Sequence, residues 1–216
     1  MLHHCNLKFN EELICRDDYA TEYIILHHSE VSSRHTIEDV HKWHLKKGMA
    51  GVGYHYFIDK DGEIFEGRPH WAKGAHASSY NDKSVGVCFE GDFNKEQMSE
   101  KQENAAVMLL SILSLAYEDA TVTGYRQLSD KKSPGKFFPL KSMLNKVDNC
   151  KGWLKGLFGE EMRFWIMDEE GRNRYSGLDE EADRKRQSMP SSFEDGNFSY
   201  SRILDLFADI NECEYL

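Results

Sequence analysis

Two short apolar runs, EYIILHHS at 22–29 and KSVGVCFEG at 83–91, set the terms on which this chain can fold. Each is too short for a buried helix, is rich in β-branched and aliphatic residues, and ends in polar ones, so each reads as a buried strand. Such strands need helices laid against them, and the sequence provides these. In HTIEDVHKWHLKKG, Thr36 as N-cap with Asp39 three residues on forms a capping box, and Ile37, Val40 and Trp43 or His44 recur at helical spacing. With Gly48 as the stop, this predicts a helix over about 37–47. SEKQENAAVMLLSILSLAYED predicts a second, longer helix, opened by Ser99 and Gln102 as another capping box, with an apolar stripe of Ala106, Leu109, Leu110, Leu113 and Tyr117.

Between these helices, GYHYFIDKDGEIFEGR shows two alternating runs about DKDG, the mark of a hairpin with a glycine turn. Strict alternation would put Tyr54, Tyr56 and Ile58 on one face and His55, Phe57 and Asp59 on the other. ATVTGY is a further short strand, and PLKSMLNKV a closing helix. The order β, α, β, β, β, α, β, α predicts an α/β domain, a mixed central sheet flanked by helices. It is expected to span 21–150, preceded by an N-terminal extension at 1–20.

The remainder, 151–216, has a different character. GWLKGLFGEEMRFWIMDEEGRNRY contains an aromatic-rich run and a candidate strand pair about EEGRN; a heavily charged stretch follows, and FSYSRILDLFADI has the spacing of an amphipathic helix. This acidic extension is the candidate surface for a protein partner or self-association.

The formal charge of −10 sets an acidic molecule against duplex DNA and anionic membranes, so neither nucleic acid nor membrane is an expected partner. No apolar run approaches the ~20 residues of a membrane span. The start MLHHCNLKFNEELICRDD lacks the basic and apolar segments of a signal peptide, and the five scattered cysteines form no CxxC pair. Both observations lead us to expect a cytoplasmic location, with Cys88 a core thiol.

The chain carries 10 histidines, and 27, 28, 35, 41, 44, 55 and 76 precede residue 80. Neutral imidazole is a good zinc ligand, and zinc hydrolases use three protein ligands with a fourth position for water. ILHHS, WHLKKG, VGYHYFIDKDGEIFEGRP and GAHASSYNDKSVGVCFEGDF follow one another along 25–93. In that order and spacing they resemble the type 2 N-acetylmuramoyl-L-alanine amidases, a family that includes amidase-type phage lysozymes and animal peptidoglycan recognition proteins. The likeness extends through SPGKFFP, covering roughly 20–147 but not the tail.

The resemblance implies a groove for a muropeptide and a zinc ion at its floor, whose bound water attacks the amide between the lactyl group of muramic acid and L-alanine. It also implies three zinc ligands. His27 matches the first. Tyr125 stands where the second, a histidine, should follow the late strand, and Ser133 stands where a cysteine should precede Pro-Gly. Four other family positions are kept. Tyr54 matches a tyrosine beside the metal and Lys131 a lysine that serves a developing oxyanion, the two positions that would be catalytic, while His76 and Asn81 match residues near the bound glycopeptide. His27, Tyr54, His76, Asn81 and Tyr125 are therefore the expected ligand-binding set. Met49 replaces a tryptophan common in relatives.

A serine hydroxyl stays protonated near neutral pH and a tyrosine loses its proton only near pH 10, so neither replaces imidazole or thiolate. Alternation turns His55 away from Tyr54 and His28 away from His27, which removes the nearest substitutes. The leading expectation is a zinc-free, non-hydrolytic binder of a muropeptide-like or other small ligand, with no cofactor. The alternatives are an active amidase with a rearranged zinc site, acting as a phage-type lysin released by a separate factor, and an interaction scaffold using the tail.

Overall fold

A computed structural model describes residues 2–16 and 21–158. The candidate strand pair about EEGRN and the amphipathic segment near the C-terminus lie outside the described residues. Within them the chain forms β1 (Leu2–His4), β2 (Tyr23–His28), α1 (Ile37–Lys46), β3 (Tyr56–Ile58), β4 (Ile64–Glu66), β5 (Ser84–Phe89), α2 (Glu100–Ala116), β6 (Thr121–Gly124) and α3 (Leu140–Phe158). The six strands make one sheet in the order β1-β4-β3-β5-β2-β6. Only β3 and β4 pair antiparallel, as their hairpin requires; every other neighbour pair is parallel.

The two runs that opened the sequence reading are adjacent central strands, with His27 beside Cys88 in the register. Both faces are covered. Ile24, Leu26, Tyr56, Ile58, Val85 and Val87 pack under α2 and α3, while Phe57 and Cys88 join Ile37, Val40 and Val52 beneath α1. Helix α2 is buried well beyond its predicted stripe, because α3 covers the side turned away from the sheet.

The capping box of α1 is complete: Thr36 Oγ1 accepts from Asp39 N at 3.4 Å and Asp39 Oδ2 accepts from Thr36 N at 3.1 Å. Gly48 follows at φ 78°, the left-handed stop that glycine adopts without strain. The second predicted box is only half formed. Ser99 Oγ accepts from Gln102 N at 3.1 Å, but Gln102 Nε2 donates instead to Ile58 O and Glu90 O, tying the helix start to the ends of β3 and β5.

Strict alternation also fails at one place. Tyr56 and Ile58 face the main core, but Tyr54 packs with the α1-side cluster because the backbone bends at His55, before the strand begins. The first expected boundary falls between β1 and β2, and the second falls inside α3. Residues Leu2–His4 pair with β4, so part of the N-terminal extension belongs to the sheet. Helix α3 runs through position 150 and buries Leu154 completely.

Candidate functional site

The C-terminal ends of β2 and β6, the loop after β6 and one face of α1 surround a cavity of about 220 Å³. Its lining includes His27, Tyr54, His76, Tyr125, Lys131 and Ser133, so six residues separated by up to about a hundred positions in the chain meet at one place. Asn81 does not line it. Asn81 Oδ1 instead accepts from His76 N and Ala77 N, both at 2.8 Å, and so braces the turn that presents His76.

His27 lies at the end of β2, 2% exposed. Three rings surround it: Tyr125 at 4.9 Å, His76 at 5.0 Å and Tyr54 at 5.2 Å between centroids. His27 Nε2 and His76 Nδ1 are 3.0 Å apart, a hydrogen bond that occupies one of the two nitrogens of His27. His76 reaches this position because β5 has glycine beside it; a Cβ on Gly86 would lie 2.5 Å from His76 Cδ2. The Tyr54 hydroxyl interacts with the Cys88 thiol of β5. Ser133 Oγ accepts from the backbone N–H of His28 at 3.1 Å.

Burial governs the ionisation of this group. It holds His27 well below the ordinary imidazole value, with His76 and His28 adding to the effect. His76 is pushed down to about 3, also by burial first, and Tyr54 is raised well above the phenol range by burial and then by Cys88. The floor of the cavity is thus uncharged at neutral pH.

Two of the remaining histidines, His41 and His55, are structural staples that use both ring nitrogens. His41 accepts from Val52 N and donates to Lys8 O. His55 accepts from Gly86 N and donates to Ala72 O, and it does not line the cavity. His28 stacks on Phe93 and also borders the cavity. Sequence reading missed Glu30, Trp43, His44 and Lys47, which also line the cavity. Val40, Trp43, His44 and Lys47 follow the i, i+3, i+4, i+7 spacing of one helix face, so α1 carried the signal. Glu30 had none beyond its place after the strand; its φ of 61° appears only in the structure.

Among the described residues, no group of three or more His, Cys, Asp or Glu side chains is arranged to hold a metal ion. The donors at the three positions implied by the resemblance are one imidazole, a phenol and a hydroxyl already bound to a backbone amide. That set does not fit zinc, which is held by imidazole, thiolate or carboxylate.

A mixed, mainly parallel sheet with helices on both faces and a cleft at its strand ends defines an α/β fold. Residues 17–136 match the family described as N-acetylmuramoyl-L-alanine amidase, and the chain belongs to it. Among curated relatives, the endolysin of Escherichia phage T7 is 31% identical over 134 residues, covering 59% of this chain and 87% of that one. Among solved structures, the N-acetylmuramoyl-L-alanine amidase LysC from Clostridium intestinale URNW superposes with a TM-score of 0.63 at 27% identity, covering 68% of this chain and 97% of that one. A variant of Drosophila PGRP-LB in complex with tracheal cytotoxin superposes at 0.58 with 25% identity, covering 65% of this chain and 91% of that one. Endolysins and peptidoglycan recognition proteins are both represented among the relatives.

Proposed function

We propose that this protein is a zinc-free, non-hydrolytic member of its family that binds a muropeptide-like ligand in the cavity beside His27. The observation that supports the reading is the donor set. Ser133 Oγ is occupied by His28 N, His27 Nε2 by His76, and the second ligand position holds a tyrosine, so one imidazole nitrogen is all that remains of three ligands. Attack by a metal-activated water needs a cation held at that point, and a single imidazole does not hold one. The cavity itself remains well formed, with aromatic walls from Trp43, Tyr54 and Tyr125 suited to a sugar or peptide face.

One observation favours a second reading, an active amidase with a rearranged site: Tyr54 and Lys131 line the same cavity as His27. Incubation with purified peptidoglycan separates the two. The binder sediments with the polymer and releases no new amino termini, with or without added zinc. Amine release that is abolished by a chelator and by His27→Ala establishes the hydrolase instead.

A further inference from the structure

Several hydrogen-bond donors line this cavity. Ser133 Oγ accepts the His28 N–H, so its own proton is free to donate. His28 Nδ1 accepts from Phe93 N at 3.1 Å, so the proton of the neutral ring sits on Nε2. That Nε2 is buried without a hydrogen-bond partner, on a side chain 0% exposed that lines the cavity. Lys47 and Lys131 complete the donors, and neither lies within ion-pair distance of an acid among the described residues. Glu30 is the single acid in the lining, its Oε1 3.7 Å from His28 Nε2, so the cations outnumber it in a chain whose formal charge is −10.

A cavity of about 220 Å³ falls below the roughly 300–1,000 Å³ of sites that enclose whole drug-sized ligands, so it admits one end of a muropeptide. The amide joining lactyl group and L-alanine offers such donors one neutral carbonyl oxygen. Its hydrolysis product offers a carboxylate with two charged oxygens, and charge-assisted hydrogen bonds are about twice as strong as neutral ones. Resting on the muropeptide reading above, we propose that the site selects the already cleaved ligand. The free lactyl carboxylate of an N-acetylmuramic acid residue is held by Ser133 Oγ and the ammonium groups of Lys47 and Lys131.

Titration calorimetry of the full chain tests this with four probes: N-acetylmuramic acid, its lactamide, N-acetylmuramyl-L-alanyl-D-isoglutamine and the dipeptide L-alanyl-D-isoglutamine. The free acid is expected to bind at least about tenfold more tightly than the lactamide, the margin expected for one hydrogen bond to a charged group. That preference shrinks with salt and in Lys47→Gln and Lys131→Gln, two exposed positions whose change leaves the core untouched. Lys42→Gln, on α1 and paired with Asp39, leaves it unchanged. Equal affinity for acid and lactamide overturns the inference, as does binding of the dipeptide in place of N-acetylmuramic acid, which would make the peptide the source of the carboxylate. In either case binding of the muramyl dipeptide leaves the broader reading standing; failure of all four probes removes both.

Discussion

His55 and His70 are buried and neutral. His70 is pushed down to about 3, and His55 well below the ordinary value, in both cases by burial first. An unfolded imidazole takes up a proton near pH 6.5 and these folded ones do not, so their stabilising effect is complete above that pH. It declines as pH falls below 6.5, by at most about 1.4 kcal/mol per unit for each residue. The midpoint of thermal unfolding is therefore expected to be clearly lower at pH 5 than at pH 7.5; a flat profile would show these rings to be solvated. Asn81 makes a second prediction at this scale. Its Oδ1 satisfies two backbone amides, so Asn81→Ala should cost about 1–3 kcal/mol in urea unfolding and loosen the turn that carries His76. A ligand-binding role without this bracing would leave stability unchanged.

Among the elements, α1 and the hairpin were legible because local chemistry specifies them: a capping box, a glycine stop and an Asx-type turn in which Asp59 Oδ1 accepts from Asp61 N and Glu63 N. Three-residue β1 was not legible, since Leu2–His4 is a strand only through pairing with β4, 62 positions away. The same holds for the end of α3. GWLKGLF reads as a composition shift, yet Trp153 and Leu154 pack on the core built by α2, so helix contacts override the apparent boundary. Leu154→Ala is expected to destabilise the fold by about 2–5 kcal/mol, and a chain ending at 150 to unfold more easily than one ending at 158. Equal denaturation midpoints for the two truncated chains would restore the boundary at 150.

For the whole molecule, the family was readable from motifs in fixed order, and so was the meeting of His27, Tyr54, His76, Tyr125, Lys131 and Ser133. What the motifs could not convey is how thoroughly the other polar groups are committed. Histidine abundance suggested metal, whereas His41, His55 and His70 are spent on backbone and side-chain hydrogen bonds within the fold. The fold thus keeps a cleft while its ligand positions hold a phenol and an occupied hydroxyl. The most direct test of that account is the zinc content of purified protein, unaltered and carrying both Tyr125→His and Ser133→Cys. The account predicts well below one zinc per chain in the unaltered protein and close to one in the double variant. One zinc per chain in the unaltered protein, lost on His27→Ala, would contradict it.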